Sequence, residues 1–123
     1  MGKYVVRKKE NGASFNLVAG NGEVIGVSEF YTSENNCLNG IESVRRNAPE
    51  ANVEDQTIAG YETLKHPKFE IFKDKRGEFR FRLRAKNGEI ILASEGYTAK
   101  ASCKNGIDSV VRNSDSPVVY REE

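Results

Sequence analysis

The sequence predicts an α+β domain built from two tandem copies of one unit, each with three strands, a helix and a further strand. Two observations carry this prediction. When the sequence is shifted by 66 residues, 15–47 aligns with 81–113 and 19 of these 33 positions are identical, which marks an internal repeat. Within each copy, hydrophobic residues first alternate with polar ones and then recur at helical spacing, which indicates strands followed by a helix.

The strands are clearest in the second copy. Residues 69–73 are hydrophobic and β-prone, and turn residues follow at 74–77. The next strand has one buried and one solvated face, because Phe79, Phe81, Leu83 and Ala85 alternate with Arg80, Arg82 and Arg84. Asn87-Gly88 is typical of a two-residue type I′ hairpin before a short strand at 90–93. The first copy follows the same pattern, with Asn21-Gly22 at the turn and Ala13, Phe15, Leu17 and Ala19 facing inward.

The helix of each copy should begin at Thr32 and at Thr98, whose hydroxyls would accept from a first-turn N–H. A spacing of i, i+4 and i+7 predicts a buried stripe made of Cys37, Ile41 and Val44, matched by Cys103, Ile107 and Val110. Gly40 and Gly106 lie on this stripe, where we expect the helix to approach the sheet too closely for a Cβ. Short strands are predicted at 52–55 and near 118–121.

Length and charge limit the classes of protein to which the chain could belong. The 123 residues suffice for one domain but not for two independent cores. The 19 basic and 18 acidic side chains nearly cancel, which argues against a disordered chain and against a polybasic binder of nucleic acid or membranes. No hydrophobic run approaches the roughly 18 residues of a transmembrane helix. We predict a single domain, 1–123, with repeat one at 3–55, a linker at 56–66 and repeat two at 67–121.

Several motifs resemble those of the YegP-like family of small bacterial proteins, and the resemblance covers both repeats. They are Phe69-Glu70-Ile71-Phe72-Lys73-Asp74, Phe79-Arg80-Phe81, Asn87-Gly88-Glu89-Ile90-Ile91, Ser94-Glu95-Gly96-Tyr97-Thr98 and Cys103-Lys104-Asn105-Gly106-Ile107-Asp108-Ser109-Val110. The resemblance implies a β3-α-β unit used twice. The paired units would form one antiparallel sheet, exchange their last strands and carry both helices on one face.

The oligomeric state and the site residues are the next two questions on which the repeat and the resemblance bear. Two units within one chain suggest a monomer with internal pseudo-twofold symmetry, and a dimer of chains is the alternative. The family has no established activity and no known catalytic or ligand residues, so no site transfers. The sequence departs from the family pattern in repeat one, where the arginines are replaced by Ser14, Asn16 and Val18.

Arg80, Arg82 and Arg84 are the sharpest candidates for contact with a partner or with phosphate. Residues 68–86 hold eight basic and three acidic side chains, and guanidinium groups on one sheet face could bind phosphates. Sheet-type RNA-binding proteins, however, add exposed aromatic residues on which bases stack, whereas the phenylalanines here point inward. Pairing with Glu70, Glu89 or other carboxylates is the ordinary use of such a stripe, and we favour that interpretation.

The remaining chemical candidates favour structural roles. The repeated Ser-Glu-x-Tyr-Thr segment, at 28–32 and 94–98, has no neighbouring histidine or cysteine to activate a nucleophile. We interpret it as a strand-to-helix junction with a capping Thr and a Tyr over the helix start. His66 is the only histidine, too few for a zinc site, and phosphate-binding glycine motifs are absent from the sequence. We expect no catalytic, metal or cofactor site.

The two cysteines, Cys37 and Cys103, are expected to be buried free thiols that pack as small hydrophobes. A disulfide between them is the alternative. The N-terminal residues lack the hydrophobic segment of a signal peptide, so we expect a cytoplasmic protein, in a compartment that keeps thiols reduced.

The expected function is that of a small non-enzymatic binding or interaction module that uses the open face of the sheet. Val5 and Phe72 would lie on that face, and if exposed they would seed a contact with a protein partner. The alternative is weak, salt-sensitive nucleic-acid binding through Arg80, Arg82 and Arg84. No membrane contact is expected.

Overall fold

The computed structural model describes residues 2–121, and its eight strands form one sheet in the order β4-β5-β6-β7-β3-β2-β1-β8. Repeat one contains β1 (Lys3–Lys9), β2 (Gly12–Val18), β3 (Val24–Val27), α1 (Glu34–Asn47), a 3-10 turn (Ala48–Glu50) and β4 (Asn52–Asp55). Repeat two contains β5 (Lys68–Lys73), β6 (Phe79–Arg84), β7 (Ile90–Ala93), α2 (Lys100–Asn113) and β8 (Val118–Arg121). One hydrophobic core joins both helices to the sheet face they cover, which leaves the other face open.

Each repeat gives its last strand to the other half of the sheet. β4 lies beside β5 and β8 lies beside β1, so the α+β class and the strand exchange are confirmed. These two outer pairs are parallel, whereas the inner pairs are antiparallel. The expectation of a wholly antiparallel sheet is therefore wrong at its edges. Neighbouring parallel strands need a crossover connection of about a dozen residues, which residues 56–67 supply between β4 and β5.

The predicted alternation and helix stripes are confirmed. Both helical stripes and most of the residues predicted to face inward are buried in one cluster, whereas Ala19 and Phe79 are partly buried and pack against it. Cys37 and Cys103 are buried and free, and burial raises the pKa of each thiol to about 11. Both are therefore neutral at physiological pH and pack as hydrophobes, as the sequence suggested.

The helices begin later than predicted, so the assignment of Thr32 and Thr98 as N-caps is wrong. Ser33 caps α1, its hydroxyl accepting from the Asn36 N–H at 3.0 Å, and α2 follows Ala99 without a side-chain cap. The reason lies just before each threonine. Tyr31 pairs with β2 and Tyr97 pairs with β6, each one residue before the threonine. This pairing keeps the chain extended there and delays the start of the helix.

The predicted type I′ turns are also wrong. In the first, the Ala19 N–H donates to the Glu23 carbonyl and the Gly22 N–H donates to the Ala19 carbonyl, which closes a three-residue loop. Only Gly22 has positive φ, at 88°. Asn21 keeps negative φ and its side chain accepts from the Glu23 N–H at 3.0 Å, which avoids the left-handed conformation that costs a non-glycine residue. Residues 85–89 repeat this geometry.

The two halves meet where β3 pairs with β7 through Val27 and Ala93, which are equivalent positions of the two repeats. A pseudo-twofold axis therefore passes beside this pair. Gly26 and Leu92 are also equivalent, and a Cβ built on Gly26 would lie 2.6 Å from the Leu92 side chain. One small and one large residue thus share the space at the axis, a fit that two identical repeats could not make.

Gly26→Leu should destabilise the protein by about 1–3 kcal/mol, because a second large side chain overpacks the space that Leu92 occupies. Exchanging the two residues, Gly26→Leu with Leu92→Gly, should recover part of that loss by restoring one large and one small partner. Urea unfolding of the three proteins measures both effects. A double variant no more stable than Gly26→Leu alone would contradict the proposed fit.

Candidate functional site

The three arginines predicted as a partner or phosphate contact lie in a row on the open face of β6, each held by a carboxylate. Arg82 Nε and Arg84 Nε lie 2.5 and 2.7 Å from Glu70 Oε1, and Arg80 Nε lies 2.7 Å from Asp74 Oδ2. The hydrogen bond from Arg80 lowers the pKa of Asp74 below its usual range. The predicted pairing with Glu70 is confirmed, whereas Glu89 forms none of the ion pairs among residues 2–121.

A buried charge network extends this row to the edge of the sheet. Lys68 Nζ lies 2.8 Å from Glu54 Oε1 and 3.5 Å from Glu70 Oε2, and all three residues are at most 4% exposed. The linker closes over them, since Leu64 N–H and the Gln56 amide donate to Glu54, each at 2.7 Å. Burial alone would raise the pKa of Glu54, but these bonds and Lys68 outweigh it and lower the pKa to about 2. The open face of repeat two is therefore a neutralised polar layer.

Val5 and Phe72, the two hydrophobic residues placed on the open face by the sequence, are largely covered. The guanidinium of Arg82 lies 4.4 Å from the centroid of the Phe72 ring, and Val5 is only 6% exposed, between Asn16 and Val119 on the adjacent strands. The condition under which Val5 and Phe72 would seed a protein contact is therefore not met, since Val5 is buried and Phe72 is partly covered by Arg82. Long charged side chains cover hydrophobic surface with their stems. The alternation of residues along one strand does not reveal that a side chain of the neighbouring strand covers it.

The open face of repeat one has a different chemistry. A groove of about 220 Å³ crosses it, and we call it the basic groove; it is lined by Lys3, Val5, Arg7, Asn16, Val18, Gly22, Val24 and Arg121. Within the described chain, no carboxylate lines this groove and none of its three cations forms an ion pair. Arg7 Nε is buried and has no hydrogen-bond partner among residues 2–121. The groove is thus positively charged over a hydrophobic floor.

The basic groove arises from substitutions between the repeats. Repeat two has Glu70, Arg82 and Arg84 where repeat one has Val5, Asn16 and Val18. The absence of the carboxylate removes the anion that neutralises this face, while Lys3 matches Lys68 and Arg7 stands where repeat two has Phe72. The sequence shows that repeat one lacks the arginines, but the effect of the missing carboxylate depends on how β1 pairs with β2 and β8, so this surface was not predicted.

The Ser-Glu-x-Tyr-Thr segments are strand-to-helix junctions, as the sequence suggested. The Ser28 hydroxyl accepts from the Phe15 N–H and donates to the Glu29 carbonyl, at 2.9 and 2.8 Å, and the same bonds recur in repeat two. Tyr31 packs against the middle of α1 rather than its start, since a Cβ on Gly40 would lie 2.4 Å from the Tyr31 hydroxyl. The tyrosine, not the sheet backbone, therefore explains the helical glycine.

Two further sequence expectations concern metals and membranes. Within residues 2–121, the structure groups no three histidine, cysteine, aspartate or glutamate side chains in a way that could hold a metal ion. No helix in the same range has the length and hydrophobicity that crossing a membrane requires. His66 is exposed in the linker before Pro67.

These features define a class of protein in which two β3-α-β units complete one sheet by exchanging strands. Residues 9–55 and 74–120 each match the family described as "Domain of unknown function (DUF1508)". The chain belongs to this family, which confirms the resemblance found in the sequence.

Relatives show both the full chain and the single unit. The UPF0339 protein YegP of Yersinia pestis is 37% identical over 120 residues, covering 97% of this chain and 94% of that protein. The UPF0339 protein Atu5359 of Agrobacterium fabrum is 68% identical over 47 residues, covering 38% of this chain and 76% of that protein. The second alignment has the length of one repeat.

Solved structures show the same fold. The solution NMR structure of YegP, a protein of unknown function from E. coli, is 33% identical and superposes with a TM-score of 0.78, covering 98% of this chain and 93% of that one. The NMR structure of UPF0339 protein SO3888 from Shewanella oneidensis gives 0.79 at 33% identity, covering 98% and 92%. Both support the tandem arrangement described above.

Replacing Arg82 and Arg84 by the residues of repeat one, Arg82→Asn with Arg84→Val, should lower the free energy of unfolding by about 1–2 kcal/mol. Glu70 would then stay buried with only Lys68 nearby, and an undercompensated buried charge is costly. Adding Glu70→Val, the third residue of repeat one, should recover most of the loss. Urea unfolding provides the measurement, and a triple variant as unstable as the double would contradict the network.

Glu54→Gln should destabilise the protein at neutral pH by about 1–3 kcal/mol, because Lys68 loses its closest anion. It should also flatten the acid side of the stability curve. The pKa of Glu54 is lower in the folded state than in the unfolded chain, so its contribution is complete above about pH 4.5 and is lost as the pH falls toward about 2. Denaturant unfolding at several acidic pH values gives the free energy of unfolding as a function of pH for the variant and for the unchanged protein. Equal slopes for the two proteins would refute this role.

Proposed function

We propose that the chain is a small non-enzymatic binding module whose working surface is the open face of the sheet. Its basic groove would receive an acidic, partly hydrophobic segment of a partner protein. The observation that carries this proposal is the contrast between the two halves of the face. Repeat two neutralises its cations with Glu54, Glu70 and Asp74, whereas the cations of the basic groove have no such partner within the described residues.

The lining of the groove supports this partner chemistry. Lys3, Arg7 and Arg121 offer three positive charges, and the exposed parts of Val24 and Val119, 41% and 38%, flank a hydrophobic floor. A segment that alternates acidic and hydrophobic side chains would pair with the cations and bury these valines. Electrostatic complementarity of this kind favours selectivity and fast association.

Nucleic-acid binding is the competing function, and the ion pairs reduce the support for it. Arg80, Arg82 and Arg84 belong to the proposed surface as its ion-paired half. Any phosphate that bound them would compete with Glu70 and Asp74, which already hold the guanidinium groups. Exposed stacking residues are also lacking on this row within residues 2–121, since Phe79 and Phe81 belong to the opposite, helix-covered side and Phe72 lies against the Arg82 guanidinium.

Fluorescence anisotropy with a labelled peptide of about eight alternating Glu and Val residues tests the proposal at about 50 and 200 mM salt. We expect binding to this peptide and not to its Gln counterpart. Changing the groove cations Lys3, Arg7 and Arg121 to Gln should weaken binding about tenfold or more. The matched control changes three exposed cations elsewhere, Lys75, Arg76 and Lys104, to Gln and should leave the affinity unchanged.

Two outcomes would overturn the proposal. One is equal loss of affinity in the groove variant and the control variant, which would mean that only net charge matters. The other is failure of the acidic peptide together with binding of single-stranded RNA that collapses at 200 mM salt, which would favour nucleic acid. Because Arg7 is partly buried, a variant changed only at Lys3 and Arg121 separates a loss of binding from a loss of folding.

A further inference from the structure

A second surface lies away from the open face, in a cleft between the helix of one repeat and a hairpin of the other. Its volume is about 490 Å³, within the range of small-molecule sites. Repeat one contributes the segment 29–32 and one side of α1, and repeat two contributes the β6–β7 hairpin. No lysine, arginine or histidine is among the residues that line it.

The internal repeat shows which exposed residues have been kept without a role in the core. Within the aligned segments 15–47 and 81–113, six positions exposed in both repeats carry the same residue: Asn21 with Asn87, Glu23 with Glu89, Glu29 with Glu95, Thr32 with Thr98, Asn39 with Asn105 and Arg46 with Arg112. Other positions exposed in both repeats have changed, such as Gly20 with Lys86 and Asn35 with Ala101. Exposure alone therefore does not preserve identity.

The kept residues converge on this cleft. Five of the six pairs place one member in its lining, with Glu29, Thr32 and Asn39 from repeat one facing Asn87 and Glu89 from repeat two. The sixth, Arg46, lines an adjoining cleft. Residues from distant parts of the chain thus meet at one place, and only the pairing of the repeats brings them together.

The chemistry of the lining selects a positively charged ligand with hydrogen-bonding groups. Neither Glu29 nor Glu89 forms an ion pair among residues 2–121. Both carboxylates line the cleft together with the Tyr31 phenol. Burial, reinforced by these carboxylates, raises the pKa of Tyr31 to about 12. Its hydroxyl is therefore a neutral hydrogen-bonding group at physiological pH. Asn36 and Asn39 add neutral amides.

The same neighbours surround Tyr97 in the other half of the molecule. A Cβ on Gly106 would lie 2.4 Å from the Tyr97 hydroxyl, the same distance as between Gly40 and Tyr31. Burial raises the pKa of Tyr97, with contributions from Glu23 and Glu95. The arrangement is therefore repeated about the pseudo-twofold axis.

We propose that the cleft between α1 and the β6–β7 hairpin binds a small organic amine that carries several hydroxyl groups. The ammonium group lies between Glu29 and Glu89, and the hydroxyl groups bond to Asn39, Thr32 and the Tyr31 phenol. The equivalent residues around Tyr97 bind a second molecule of the same kind. This site is independent of the basic groove, which attracts anions.

An NMR titration of the uniformly 15N-labelled full chain with glucosamine tests the proposal, at about pH 6.5, well above the ordinary pKa of a carboxyl side chain in a peptide. We expect shifts at the amides of Tyr31, Asn39 and Gly40 and at their equivalents Tyr97, Asn105 and Gly106. The neutral probe N-acetylglucosamine should bind about tenfold more weakly or not at all. Glu29→Gln with Glu89→Gln should remove the first set of shifts and keep the second, which serves as an internal control.

A second variant, Glu10→Gln, removes one exposed carboxylate outside the cleft and should leave both sets unchanged. Equal binding of glucosamine and N-acetylglucosamine would overturn the proposal, because the ammonium group would then play no part. Absence of shifts with glucosamine up to tens of millimolar would overturn it as well. Loss of both sets of shifts in Glu29→Gln with Glu89→Gln, with the folded spectrum retained, would show that binding is not local to the cleft.

Discussion

The exchange of β4 and β8 between the repeats is the interaction on which the rest of the structure depends. Each exchanged strand fills an edge of the other half-sheet and is fastened there by side chains. The Tyr4 hydroxyl donates to the Ser114 carbonyl at 2.7 Å and Arg45 donates to the Ser116 carbonyl at 2.6 Å, while Lys100 holds Asp55 at 2.9 Å. A unit of about 50 residues would be only marginally stable by itself, and in this chain the two repeats form one core.

The exchange also builds the surfaces that carry function in our proposals. The cleft exists because α1 of repeat one lies against the β6–β7 hairpin of repeat two, and Asn47 joins them by accepting from the Lys86 N–H at 3.1 Å. The open face of repeat two is closed at its edge by Glu54, which arrives on the exchanged strand and pairs with Lys68. Neither surface would form in an isolated unit.

The two repeats have kept one surface and changed the other. Around the cleft, Glu29, Thr32 and Asn39 recur unchanged in repeat two, although they contribute nothing to the core. On the open face, Val5 stands in repeat one where Glu70 stands in repeat two, and one half becomes basic while the other becomes neutral. Duplication thus allows a symmetric pair of clefts beside an asymmetric sheet face, which suits two separate binding roles.

The sequence by itself determined the repeat, the order of strands and helices, the inward faces of β2 and β6 and the buried stripe through Cys37. These depend on local periodicity, because a side chain's position along a strand or helix decides the face on which it lies. The tertiary structure decided the parallel edges, the late helix starts, the burial of Val5 and the choice of Glu70 rather than Glu89 as the partner of Arg82. These depend on which segments meet in space, within one repeat for the late helix starts and between the repeats for the parallel edges. Residues as distant as Glu29 and Glu89 become neighbours only when both repeats fold onto one core.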